Sequence, residues 1–327
     1  MNKPTIYNRK NFFLSNTIAN SIRRALINEV KTYTFDNVTF NNFNSSIYNT
    51  EYIIQRLRLI PLIQSSVPNY RDLTLRCNVI NNTEKFLPVT PKDIKTIEGK
   101  ILVNLIDKNI SNNLPIIYLP PNESIDFTCN LVENNETGYN KYCHCWYDDE
   151  NLYIESINKS RGGEIKAAIQ YLINQCYIIR KKIINNYFNK TQSNFKIDIK
   201  LENISRSALN VIVDHTRMIL TNIIKYIITN GDTTKQAELT PSDFIISIVQ
   251  PHLSENKYSV LFDINMKYLL QSINEKKLHV VGLFMGYLNS NNIDYHDYIN
   301  ANNAIFIIIG CIDSTIQYLN NMMRNFK

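Results

Sequence analysis

FFLSNTIANSIRRALINEVKTYTFDNVTFNNFNSSIYNTEYIIQRLRLIPL, residues 12–62, carries three kinds of local signal in close order. Phe12-Phe13-Leu14 reads as a short apolar strand. Ser15-Asn16 opens a helix whose apolar residues Ile18, Ile22, Ala25 and Leu26 fall at i, i+4, i+7 and i+8, the stripe of one buried face. A strand follows around Phe35-Val38-Phe40. A second helix then starts at Thr50 or Glu51. It must stop before Pro61, because the residue ahead of a proline is pushed out of the helical region.

That order and wording resemble the assembly subunits of multisubunit RNA polymerases: the N-terminal domain of the bacterial alpha subunit, the archaeal D subunit and the third-largest subunit of eukaryotic polymerase II. In that family a strand leads into a helix reading N-S-x-R-R, then an acidic-apolar strand and a segment ending R-L-x-L-I-P-L. Here these are Asn20-Ser21-Ile22-Arg23-Arg24 and Arg56-Leu57-Arg58-Leu59-Ile60-Pro61-Leu62. Arg58 stands where the family usually has Gly between the two leucines.

Working outward, 327 residues are too many for one ordinary domain and suit two or three. A hydrophobic fraction of 44% supports real cores. Every Ile-rich stretch is broken by Asn, Lys or Asp, so no membrane span is expected. No charged-then-apolar leader is read at the N-terminus. The six cysteines lack framework spacing, which fits a reducing compartment. A net charge of +6 is mild for a dedicated DNA reader but allows docking on a larger, nucleic-acid-bearing machine. Gly (8) and Pro (10) are scarce while Tyr (20), Asn and Ile abound, the bias of an AT-rich genome. With the family resemblance, it points to a large DNA virus transcribing in the host cytoplasm, with the protein also in the virion.

After Leu62, Leu73-Leu75-Cys77-Val79 alternates as a strand does, and 101–106, 115–119, 125–132 and 142–147 read as short β runs between turn residues. The resemblance implies a β-rich insert here, interrupting a dimerisation domain. The domain resumes with the strand Leu152–Ser156, a break at Gly162-Gly163 and a long helix from about Glu164 to Tyr187. Ile165, Ala168, Ile169, Leu172, Ile173, Cys176, Ile179 and Ile183 line one face of that helix. Phe195–Glu202 alternates throughout and starts a new domain. Leu209-Val211-Val213 reads as a second strand leading into Asp214-His215-Thr216 and a helix closed by Gly231, with Asp214 or Thr216 as its cap. Asp-His-Thr at such a junction resembles the small partner of the same assembly, the archaeal L subunit and the eukaryotic eleventh subunit. The match stops there, since Arg217-Met218-Ile219 replaces the family's Leu-Gly-Asn. The tail admits two readings. One uses 244–249, 251–253 and 258–262 as strands and leaves 266–327 as an appendage. The other, which is preferred, uses Val280–Leu288 and Ile305–Ile309 as strands and Ser314–Phe326 as the final helix, making 232–276 an insertion.

Candidate chemistry is sparse. Cys143-His144-Cys145 has no second ligand pair for a structural zinc site, and alternation along a strand explains it without metal. His215 is read as making a structural hydrogen bond rather than acting as an acid or base. Asp148-Asp149-Glu150 is a solvated loop. Gly162-Gly163 lacks the Lys-Ser/Thr of a phosphate loop. Arg180-Lys181-Lys182 reads as a wet helix end. Arg23, Arg24, Arg56 and Arg58 could be solvated helix faces. The docking reading is preferred, because arginine gives bidentate contacts at protein interfaces.

The expected fold class is α+β: two related sheet-plus-helices dimerisation halves fused in one chain, with a β-rich insert in the first half. The expected domains are 1–66 plus 150–190, the insert 67–149, and 191–327. The resemblance implies a non-catalytic scaffold with no cofactor or metal, on which the two large catalytic subunits, chiefly the second-largest, assemble together with other small subunits. DNA is met only through the complex. The expected interface residues are Asn20, Ile22, Arg23, Arg24, Leu26, Arg56, Leu57, Arg58, Ile60, Pro61, His215 and Thr216. The competing readings are a free-standing viral nucleic-acid-binding protein, which needs a continuous basic face with stacking aromatics, and a small-molecule enzyme, which needs convergent ionisable groups.

Overall fold

The computed structural model describes residues 4–12, 14–63, 67, 69, 72–97, 105–106, 113–134, 143–156, 163–187, 196–230, 244–250, 257–264 and 304–326. Over these the chain is mixed α+β. It divides into two compact units: Met1–Asn11 with Arg23–Ala167, and Phe12–Ile22 with Ala168–Lys327.

In the first unit, β1 (Thr5–Asn8), β9 (Asn151–Ser156) and β8 (Cys143–Tyr147) form an antiparallel sheet in the order β1-β9-β8. The expected strand at Phe12–Leu14 is corrected. The strand lies earlier, at β1, while Phe12 sits in a turn and Leu14 is buried without strand pairing. Three consecutive apolar residues do not set a period, and β1, with Ile6 exposed, has little alternation to reveal it. The long strand β2 (Thr32–Asn44) joins β7 (Ser124–Asn134), β3 (Leu75–Ile80) and β5 (Ile94–Thr96) in a second sheet ordered β2-β7-β3-β5. Register shifts interrupt the β2–β7 pairing between Asp36 and Thr39 and again between Phe40 and Asn42. Asn37 turns with φ 52° at the first of them. Asparagine tolerates that left-handed geometry, and bulges of this kind twist an edge strand away from stray pairing.

Helix α2 (Thr50–Arg58) is capped by Asn49, whose side chain accepts from the Tyr52 amide at 2.7 Å. Its Ile53 and Leu57, with Ile60 and Leu62 beyond its end, join Phe35, Leu75, Ile94, Leu119 and Phe127 in one core. Two short strands, β4 (Leu87–Val89) and β6 (Ile117–Leu119), pair at its side. The β run expected over 101–106 is not a strand at Leu105-Ile106. These form a turn that buries both side chains, and the Leu105 carbonyl accepts from the Ile63 amide at 2.8 Å. Residues 101–104 lie outside the described residues.

In the second unit, β10 (Lys196–Glu202), β12 (Lys257–Ile264) and β11 (Phe244–Val249) form an antiparallel sheet ordered β10-β12-β11. Helices α3 (Gly163–Tyr187, in this unit from Ala168), α4 (Arg206–Asn230) and α5 (Ala304–Asn325) join the segment Phe12–Ile22 of α1 (Asn16–Arg24).

Two expectations are corrected here. Leu209-Val211-Val213 is helix, not strand. Asn203, at φ 51°, turns the chain out of β10. Ser205 then caps α4 through its side chain, which accepts from the Ala208 amide at 3.2 Å. The cap is therefore neither Asp214 nor Thr216. Ala208, Leu209, Val211, Ile212 and Val213 are all buried, and so continuous an apolar run fits a buried helix as well as a strand. Ile305–Ile309 likewise lies in the first turns of α5 rather than in a strand, another continuous apolar run that fits a helix as well as a strand. β11 and β12 are the strands named in the tail reading not preferred, and they complete the sheet that the preferred reading treated as insertion. Residues 251–253 and 280–288 lie outside the described residues. No helix among the described residues is long and apolar enough to cross a membrane.

Candidate functional site

The candidate residues fall into three groups. The first lies where α1 ends. Ile22 and Leu26 are buried. Between Ala25 and Glu29 the helix widens into a π turn closed by a Val30 amide to Ala25 carbonyl bond of 2.8 Å. One extra residue per turn re-aims the side chains around it, and such turns recur at functional positions. Asn20, Arg23 and Arg24 are half-buried. The Arg24 Nε is shut off from water and has no hydrogen-bond partner among the described residues.

The second group is Arg56-Leu57-Arg58-Leu59-Ile60-Pro61. Leu57 and Ile60 are core residues, Pro61 is half-buried and Leu59 is 50% exposed. Both arginines are engaged within the first unit. Arg56 donates to the carbonyls of Pro115 (2.6 Å) and Ile116 (3.3 Å), fastening the approach to β6. Arg58 donates to Asp36 at 2.9 Å, beside the bulge in β2. Arg58 thus has a partner that a glycine could not supply.

The third group surrounds Asp214-His215-Thr216 in the second unit, in the middle of α4 rather than at its start. The Ser15 hydroxyl, which also accepts from the Ile18 amide at 3.2 Å to cap α1, donates to Asp214 at 3.2 Å. The Ser21 hydroxyl donates to the Ser207 carbonyl at 3.1 Å, with both serines buried. His215 Nδ1 lies 3.0 Å from the Thr315 hydroxyl, and its ring stacks on Tyr318 at 4.9 Å. Thr315 gives its only proton to the Cys311 carbonyl, at 2.7 Å, so it accepts from His215 and fixes the Nδ1–H tautomer. Thr216 is buried and donates to the Ile212 carbonyl at 2.7 Å. His215 is thus placed for a structural hydrogen bond, as expected, though on a different part of the helix.

Burial lowers the His215 pKa to about 4 from an ordinary 6.5, with Asp214 opposing the shift. A base whose folded value is depressed binds fewer protons folded than unfolded, so its contribution is present above 6.5 and lost as pH falls towards 4. The melting temperature will therefore drop across that interval. His215→Phe will remove this part of the drop at a cost of about 1 kcal/mol at neutral pH. A thermal-melt series in pH checks both.

Several functional contacts carry no sequence signal of their own. Arg180 is not a wet helix end: it makes a bidentate pair with Asp313 of α5, at 2.6 and 3.1 Å. Four residues after buried Cys176, it borders the apolar stripe of α3, which was the available hint. Lys182 donates to the Glu202 carbonyl. Phe12 stacks on buried Phe326 with ring centroids 4.4 Å apart.

Cys143 and Cys145 point inward along β8 while His144 and Trp146 are exposed, and Trp146 stacks on Tyr153 at 5.3 Å. Burial pushes the Cys145 thiol up to about 12. No metal-ligating cluster occurs among the described residues. Asp148 closes the β8–β9 hairpin by accepting from the amides of Glu150 and Asn151.

No family model matches the chain. One relative is DNA-directed RNA polymerase II subunit rpb3 of Dictyostelium discoideum, 30% identical over 134 residues, which are 35% of this chain and 44% of the relative. The chain thus spans less than half the length of the relative it matches. The similarity supports, at a coarse level, a place among alpha-like RNA polymerase subunits.

Proposed function

We propose that this chain is a non-catalytic assembly subunit of a DNA-directed RNA polymerase, an intramolecular pseudo-heterodimer on which the two large catalytic subunits assemble. The observation that carries the proposal is the similarity to the polymerase II subunit. The mixed α+β architecture and the order helix, bulged strand, helix, Arg-Leu-x-Leu-Ile-Pro accord with it. The pseudo-heterodimer is supported by α1, which carries Asn-Ser-x-Arg-Arg, bonding to α4, which carries Asp-His-Thr, through Ser15–Asp214 and Ser21–Ser207. Arg24, half-buried at the end of α1, is the residue we assign to docking, chiefly on the second-largest subunit. Arg23 and exposed Leu59 flank the same role. Arg56 and Arg58 act by shaping the segment that bears Leu59. Transcription would take place in the host cytoplasm of a large DNA virus, with the subunit carried in the virion.

The test is capture of the tagged chain from its native source. Two much larger chains and DNA-templated RNA synthesis should accompany it. Arg24→Gln should weaken capture of the larger chains at least tenfold, about 1.4 kcal/mol, while the chain alone still unfolds in a cooperative melt. Recovery of the chain alone, or with small partners only, would overturn the proposal.

A further inference from the structure

We propose that four unlike polar contacts in the second unit form a pairing code, which ties its helices together within one chain and turns away a second copy. The inference rests on the pseudo-heterodimer part of the reading above and is independent of the polymerase part.

The helices of this unit meet through Ile, Leu and Val faces. Apolar burial is non-directional, so such faces accept any similar face, including the same helix of another molecule. Against that background stand Ser15–Asp214, Ser21–Ser207, His215–Thr315 and Arg180–Asp313. Each joins different residues on different helices, and between them they connect α1 to α4, α4 to α5 and α3 to α5. Ser21, Ser207, His215, Thr315 and Asp313 are all buried, whereas Ser15–Asp214 is an exposed contact, so the penalty for a lost partner falls on the other three.

Association of two copies through these faces has two forms. It can exchange whole helices and rebuild every contact between copies, or it can strand buried polar groups without partners. The second form is strongly disfavoured, because a buried donor, acceptor or charge that loses its partner keeps its desolvation penalty. A single buried polar residue fixes register and partner number in coiled coils by the same logic. Replacing such contacts by apolar groups should therefore preserve folding while relaxing the choice of partner.

The test co-expresses two differently tagged full-length copies. Wild-type copies should not co-purify. Copies carrying Ser21→Ala, His215→Phe, Arg180→Met and Asp313→Leu should co-purify at least tenfold more. If these copies stay as separate as wild type, or if wild-type copies already co-purify through these helices, the code is wrong. Should the quadruple variant prove insoluble, a charge-swapped pair decides. One copy carries Arg180→Asp and the other Asp313→Arg, so opposite charges meet only when helices are exchanged between copies. Recovery of the two together, and of neither with itself, supports the code, and failure to recover them together overturns it. Failure to capture polymerase chains would leave all of these outcomes standing.

Discussion

Arg180→Ala will destabilise the second unit by about 3–5 kcal/mol, the loss expected when one member of a buried ion pair is removed. The Arg180 side chain is 26% exposed and that of Asp313 only 11%. Deleting the guanidinium leaves a largely buried carboxylate with no salt-bridge partner among the described residues. Burial already raises the Asp313 pKa above its ordinary 3.8, and Arg180 holds that rise in check. A carboxyl with a raised folded value favours the folded state while protonated, and that contribution fades as pH climbs through the folded value. Without Arg180 the folded value rises further, so the variant will recover part of its lost stability on acidification to near pH 4, about the unperturbed carboxyl range. Arg180→Met with Asp313→Leu will restore most of the loss at neutral pH, because the cost lies in the stranded charge and not in the absence of a salt bridge. Denaturant unfolding of the three variants at two pH values checks the magnitude and both signs. A loss below about 1 kcal/mol for Arg180→Ala would show that the pair is solvated like a surface one.

Phe127→Ala will cost the first unit about 3–5 kcal/mol, the range for emptying a buried aromatic position. Phe127 lies on the central strand β7, opposite Phe40 on β2 and Cys77 on β3, and is fully buried. Its ring lies 5.8 Å from that of Phe40. Paired on both sides, β7 has little freedom to move into the space left behind. Phe86→Ala provides the contrast: Phe86 is 56% exposed, and its loss should fall within about 0.5 kcal/mol. Equal effects at the two positions would mean that the core is not centred on β7. Losses of this size are a large part of a domain's net stability of about 5–15 kcal/mol, so Phe127→Ala should also lower the yield of soluble protein.

The elements legible in the sequence were those whose period is clean. The alternation of Lys196–Glu202, the buried stripe of the helix at Gly163–Tyr187 and the helix that opens at Thr50 and ends before Pro61 all recur in the structure. The misread elements, residues 209–213 and 305–309, are nearly continuous apolar runs, in which no polar residues mark out a period. Among candidate site residues, Ile22, Leu26, Leu57, Ile60, His215 and Thr216 read as interface residues in the sequence, and the structure buries all six within the chain. The sequence did not show that Arg56 and Arg58 bind within the chain, nor that Arg180 finds Asp313 133 residues away.

By itself, the sequence determined the mixed α+β class, the helix starts at Asn16 and Thr50 and the stop ahead of Pro61, and the motifs that suggest an assembly subunit. These follow from interactions between residues close along the chain, where spacing alone brings side chains to one face. The tertiary structure decided which arginines are satisfied, where the final strands lie and how Asp214-His215-Thr216 serves α1 and α5 together. Each of these depends on groups far apart in sequence meeting in a place closed to water. There the cost of leaving a polar group without a partner sets the arrangement, and no local pattern records it.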